Sequence, residues 1–210
     1  MLATATSSHD LHPPELSDRG LNASNFNPMA LLPIFAKDQQ VCMVTRAAAP
    51  AIQQYLAQTA HHIAPGVRIT VDTTQVMSNQ LHRQIGLPEG KGKQALLTDM
   101  AQLAAVYADL LGCPHIGLRL EVTSQAMCPK FHIDRTGIRL LCTYLGPGTE
   151  WLDTDTHRRA LPVIMQAPAF ALVLLKGSAW QGNQHAGVMH RSPEVPHGEQ
   201  RVLLALDALW

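Results

Sequence analysis

The chain has 210 residues, enough for one well-filled core and cramped for two. Sixteen basic residues balance sixteen acidic ones, so no overall field draws the molecule to nucleic acid or to an anionic membrane. Hydrophobic residues make up 46%, yet the longest apolar run, residues 167–175, has only the length of a strand, which argues against a membrane-spanning helix.

Residues 1–27 are rich in Ser, Thr, Asn, Asp and Pro, contain His12-Pro13-Pro14 and show no sustained periodicity. They are expected to form a flexible N-terminal arm, with residues 28–210 as a single domain. The first residues lack the basic, apolar and small-residue order of a secretory signal, which predicts a cytoplasmic location. Cys42, Cys113, Cys128 and Cys142 are widely spaced with no C-x-x-C pair, so they read as reduced thiols rather than a zinc finger.

Residues 28–114 read as a mixed, mainly helical part. A short strand is expected over 41–45. Ile52, Tyr55, Leu56, Ala60 and Ile63 then fall at helical spacing, with Pro50 in the first turn and Pro65-Gly66 past the end. Residues 68–72 alternate as a strand. The clearest helix covers 94–111, where Leu96, Met100, Leu103, Tyr107, Leu110 and Leu111 share a face and Gly112 and Pro114 mark the stop.

From residue 115 the rhythm changes to period two: Ile116, Leu118, Leu120 and Val122 alternate with Gly117, Arg119 and Glu121. Residues 130–134, 138–145, 170–176 and 201–207 are further expected strands, separated by turns such as Gly146-Pro147-Gly148. Helices feeding a run of short antiparallel strands predict an α+β protein. Its expected form is a double-stranded β-helix (a jelly roll, or cupin-like barrel) with N-terminal helices packed on the sheet. Residues 115–210 would be its β-rich, metal-binding core.

Eleven histidines are many for this length, and three side chains stand out among the candidate ligands. His132 and Asp134, two apart on an expected strand, would project to one side about 7 Å apart at the backbone. His190 precedes a Pro-rich turn leading into the last strand. Two imidazoles and one carboxylate are the facial triad that holds non-haem Fe(II) with positions left open. Arg201 shares a strand face with Leu203 and Ala205; turned inward it could pair with a carboxylate-bearing cosubstrate, turned outward it is an ordinary strand-edge arginine. Tyr144, on the face of Ile138, Leu140 and Cys142, could donate to the same cosubstrate or fill the barrel core. Arg139 and Thr143 lie on the opposite face and are weaker candidates. Cys128 and His185 are alternative ligands, read more simply as a buried thiol and a surface imidazole. Trp151 and Trp180 flank the motif as an aromatic wall or as rim packing.

The pattern His132-x-Asp134 followed by His190-Arg191-Ser192-Pro193-x-x-Pro196-x-Gly198-x-x-Arg201 is similar to the core of Fe(II)/2-oxoglutarate-dependent dioxygenases, especially the prolyl-hydroxylase-like group, over the C-terminal third. A wider pattern is Cys128-Pro129-x-Phe131-His132-x-Asp134, then Arg139-Leu140-Leu141-x-Thr143-Tyr144-x-Gly146-Pro147-Gly148-Thr149-Glu150-Trp151-Leu152, then the late His-Arg-Ser-Pro. It resembles a bacterial domain-of-unknown-function family, DUF1826, across most of the chain. That second resemblance implies company with zinc-responsive genes, including metal-chaperone GTPases, and so a role when zinc is scarce. Two features depart from the usual oxygenase pattern. The interval from Asp134 to His190 is short, which implies a compact barrel, and Arg191 puts a positive charge beside the metal unless it turns outward.

The expected protein is therefore an oxygenase with Fe(II) on His132, Asp134 and His190, and with 2-oxoglutarate held by Arg201 and Tyr144. It would act on a small-molecule or protein side-chain substrate. The alternative is a non-catalytic protein on the same scaffold that binds zinc or another metal in metal homeostasis; a third reading makes the histidines incidental to a structural module.

Overall fold

The computed structural model describes residues 26–153 and 162–210, so most of the expected N-terminal arm lies outside the described residues. Phe26 packs against the core, and the Asn27 side chain caps a 3-10 helix, Pro28–Phe35, by accepting from the Met29 N–H at 3.0 Å. There follow β1 (Val41–Val44), α1 (Pro50–Ile63), β2 (Gly66–Asp72), α2 (Met77–Gln84), α3 (Lys93–Leu111), β3 (His115–Thr123) and β4 (Ile138–Leu145). The chain then forms β5 (Glu150–Asp153), β6 (Val163–Gln166), β7 (Leu172–Lys176), β8 (His190–Arg191) and β9 (Arg201–Leu209).

The described strands form two antiparallel sheets, one of six strands in the order β1-β7-β4-β9-β3-β2 and one of three in the order β6-β5-β8. The molecule thus mixes helices with antiparallel sheet. On the six-stranded sheet, alternation along each strand sends side chains to two different cores. Val202, Leu204 and Leu206 of β9 join Leu140, Leu172 and Leu174 under the helices, where Leu56, Leu96, Met100 and Tyr107 meet them. Leu203 and Ala205 point the other way, to Leu141, Trp151, Val173, Leu175 and Val188, in a second core on the opposite face. Each large apolar side chain buried in this way contributes about 1.5–3 kcal/mol. Helix α3 is tied to the sheet by the Tyr107 hydroxyl, donated to the Ile138 carbonyl at 2.5 Å, and it stops at Gly112, whose φ of 64° suits a residue without Cβ.

Two local expectations change. Residues 130–134 form no strand. His132 alone pairs, in a single antiparallel bridge to His190, because its partner β8 is only two residues long. Helix α2 was not expected, since its sequence is polar. It is held by Gln80, whose side-chain amide takes both backbone groups of Asp72: Nε2 donates to the Asp72 carbonyl at 2.7 Å and Oε1 accepts from the Asp72 N–H at 2.9 Å. No helix among the described residues is long and apolar enough to cross a membrane.

Candidate metal centre

His132 and His190 are joined by reciprocal backbone hydrogen bonds, each N–H to the other's carbonyl at 3.0 Å. Residues facing each other in an antiparallel bridge send their side chains to the same side. The two rings accordingly lie 4.6 Å apart, centroid to centroid. Asp134, two residues on, turns its carboxylate between them: His132 Nε2 is 3.5 Å from Oδ1 and His190 Nε2 is 3.3 Å from Oδ2. The three side chains offer ligand atoms within 4.8 Å of one another, and among the described residues no other His, Cys, Asp or Glu joins the group.

The second nitrogen of each ring is also assigned. Nδ1 of His132 lies 2.9 Å from the Lys130 carbonyl, and Nδ1 of His190 lies 3.1 Å from the Val188 carbonyl. A carbonyl can only accept, so each Nδ1 carries a proton and Nε2 is the atom turned toward Asp134: with a proton of its own it donates to the carboxylate, and without one it offers a lone pair to a metal ion. Two donors side by side on an ion with bonds of about 2.1 Å stand about 3 Å apart, close to the His–Asp separations here. The residues fit a divalent metal. His190 is buried and His132 is part-exposed, so the centre has one closed and one open side.

Asp134 is held as an anion. Burial alone would raise its pKa, but the contact with His190, the charge of Arg139 and the two imidazoles outweigh it and bring the carboxyl down to about 2. Arg139, at the start of β4, donates Nη1 to Asp134 Oδ2, and Nε and Nη2 to the two oxygens of Asp207 on β9 at 2.6 and 3.0 Å. Asp207 also receives Arg119 at 3.1 Å, and Arg119 reaches Glu121 at 3.0 Å.

Arg201 begins β9 on the face of Leu203 and Ala205 and is only 2% exposed. Its guanidinium meets neutral acceptors: the Pro147 carbonyl at 2.8 Å, Thr149 Oγ1 at 3.0 Å, and Ser192 Oγ and Thr143 Oγ1 at 3.5 Å. No carboxylate among the described residues forms an ion pair with it, and burial pushes its pKa down to about 10 against the opposing charge of Glu121. Arginine at that value remains a cation at neutral pH. Glu121 offsets the burial only in part and without an ion-pair contact, so the cost of this buried cation falls further when an anion binds. Through Ser192, two residues past His190, this cation is tied to the metal-ligand strand.

Tyr144 is placed differently from the expectation that it shares a cosubstrate with Arg201. It does share the face of Ile138, Leu140 and Cys142, but that face looks to the helices. Its hydroxyl donates to Asp99 Oδ2 of α3 at 2.6 Å, in a buried group where Arg46 grips the same carboxylate at 2.5 and 2.7 Å and Phe170 packs edge-on at 5.4 Å. The opposite face, thought weaker, is the one that meets the site: Arg139 reaches Asp134 and Thr143 reaches Arg201. Period two separates the faces without saying which is inward, and Arg139 and Thr143, polar residues on one face of β4, were the signal that could have found it.

The remaining candidates sort themselves by contact. Arg191 turns away from the metal side to Glu150 (2.6 Å) and lies over the Phe131 ring at 4.5 Å. Cys128 is exposed, and its backbone carbonyl accepts from the Ser192 N–H at 3.0 Å. His185 is exposed and outside the ligand group. Trp151 is buried in register with His190, whereas Trp180 packs on Phe35, 6.0 Å between centroids.

A family model described as "Protein of unknown function (DUF1826)" matches residues 26–207. The chain belongs to the DUF1826 family. No curated protein matches it. Among solved structures, this member of the DUF1826 family is similar to the rice dioxygenase for auxin oxidation, with a TM-score of 0.52 at 15% identity over 81% of this chain and 73% of that one, which shows a shared fold. Weaker likenesses include a bsmA homolog from Methylobium petroleophilum (TM-score 0.48, 13% identity, 88% and 94% covered). Another is a Pseudomonas putida prolyl-4-hydroxylase (TM-score 0.35, 14% identity, 73% and 93% covered).

Proposed function

We propose that this protein is a non-haem Fe(II)- and 2-oxoglutarate-dependent dioxygenase built on a double-stranded β-helix. The observation that carries the reading is the joint presence, on the same side of the sheet, of a two-histidine, one-carboxylate ligand group and a buried arginine that forms no ion pair with any described residue. Iron and 2-oxoglutarate, when bound, would supply the oxidising chemistry: the oxo-acid and O2 are converted to succinate and CO2 as one oxygen atom enters a substrate C–H bond.

The chain's own part is to hold and orient. His132, Asp134 and His190 would bind the metal from one side, leaving the other for cosubstrate and oxygen. Arg201, with the Thr149 hydroxyl beside it, would take the distal carboxylate through charge-assisted hydrogen bonds. Trp151 and Leu203, buried on that side, would exclude water, which strengthens those bonds. The substrate we place in the broad class of small molecules or protein side chains. Zinc held in a closed shell of four protein ligands is the less supported reading, because three ligands gather here among the described residues.

The test is turnover of 2-oxoglutarate to succinate by anaerobically purified protein given Fe(II), then oxygen, with His132→Ala as the comparison and zinc as a second metal. Metal-dependent succinate formation that is lost in the variant supports the proposal. Absence of 2-oxoglutarate binding to the iron-loaded protein overturns it.

A further inference from the structure

We infer that Arg139 is a positioning residue that restricts Asp134 to ligation through a single oxygen; this rests on the metal-binding reading above. Asp134 belongs to no strand. Its backbone is held by the Ser178 N–H, which donates to the Asp134 carbonyl at 2.9 Å, but the direction of its carboxylate is decided by side chains. Arg139 takes Oδ2, the oxygen 3.3 Å from His190 Nε2, with Nη1, while Oδ1, 3.5 Å from His132 Nε2, receives no N–H donor among the described residues. An oxygen already receiving a charge-assisted N–H is a poorer ligand than its free neighbour, so the carboxylate offers the metal one oxygen and not two.

Arg139 is itself locked. Its Nε and Nη2 form a forked pair with Asp207, whose strand β9 lies beside β4 with Arg139 and Asp207 in register. Three N–H groups are thereby divided in a fixed plane between two carboxylates, an arrangement that lysine cannot reproduce. Asp207 also balances the arginine charge, which leaves the charge of Asp134 available to a dication. Arg119 and Glu121 continue the alternation along the sheet, and Arg68 ends it at the surface.

The consequence is chemical. A six-coordinate dication held by two histidines and one carboxylate oxygen would keep three positions for cosubstrate and oxygen. A two-oxygen carboxylate would remove one of them.

The experiment uses Co(II), whose visible bands report coordination, with the full chain and the variants Arg139→Gln, Arg139→Lys and Asp207→Asn. Arg139→Gln is expected to weaken Co(II) about 10–100-fold and to change the energy or intensity of the bands. Arg139→Lys should restore charge without restoring the parent spectrum. A folded Arg139→Gln protein with affinity within about twofold of the parent and unchanged bands overturns the inference while leaving the metal site standing. Co(II) binding that is equally tight in His132→Ala overturns the site reading and the inference together. Should Arg139→Gln fail to fold, Asp207→Asn decides: freeing the guanidinium must alter the bands, and an unaltered spectrum overturns the inference.

Discussion

His132 and His190 lie 58 positions apart in sequence and are locked opposite each other by two backbone hydrogen bonds of 3.0 Å. The bridge, not the side chains, sets their spacing, so the ligand group is built before any metal arrives. Asp134 needs only a two-residue step from His132 to close it.

Arg201 should behave as a group kept for binding at the expense of stability. Replacing it with Met removes a buried charge that has no ion-pair partner, a change that is often neutral or stabilising by about 1–4 kcal/mol. The expected outcome is a melting temperature equal to or above that of the parent. The stabilisation by 2-oxoglutarate, about 2.7 kcal/mol at a hundredfold excess over Kd, should vanish while Co(II) affinity stays. Thermal unfolding with and without ligand measures both, and a 2-oxoglutarate-induced shift retained in the Arg201→Met variant would falsify the assignment.

Tyr144 and Asp99 should show the opposite pattern. Tyr144→Phe removes a hydrogen bond to a charged group in the helix-side core and is expected to cost about 1.5–3 kcal/mol. Asp99→Asn takes the negative charge out of the buried pair with Arg46 and should cost about 3–5 kcal/mol. For Tyr144→Phe, the KM for 2-oxoglutarate should stay within about twofold of the parent, because the sheet separates Tyr144 from Arg201. Urea unfolding and steady-state kinetics check the two halves.

Lys176 supplies a pH dependence. Its ammonium is buried and donates to the Ala36 carbonyl at 3.0 Å; burial lowers its pKa from the ordinary 10.5, and the charge of Asp38 opposes this only in part. The folded chain therefore releases this proton more readily than the unfolded one. Below the lowered pKa the burial penalty is fully present; it fades as the pH rises through the folded value toward 10.5. Stability of the parent relative to Lys176→Met should thus rise as the pH climbs toward 10.5. Denaturant midpoints at several alkaline pH values read the slope, and a falling difference would contradict it.

The residue string was informative where a local rule applies. Helical spacing located α1 and α3, alternation located β3, strand-length apolar runs between Gly/Pro-rich turns located β4 and β9, and the H-x-D pair with a later histidine named the three side chains that gather. It also separated Arg201, Leu203 and Ala205 from Val202, Leu204 and Leu206, as the two cores bear out. The same rules failed for β5, β6 and β8, which are two to four residues long, and for α2, whose stability comes from Gln80 gripping Asp72.

What the chain by itself determined was which residues share a face; what only tertiary structure decided was where each face looks. Strand β4 is buried on both sides, with Leu140, Cys142 and Tyr144 under the helices and Leu141 and Thr143 on the other side, so hydrophobicity along it does not alternate. Without that contrast a period of two has no inside or outside, and Tyr144 and Arg139 exchange roles. The same limit applies to Arg201, whose neutral acceptors on Pro147, Thr149 and Ser192 arrive from distant parts of the chain. Burial and charge balance are sums over neighbours that only the folded chain assembles.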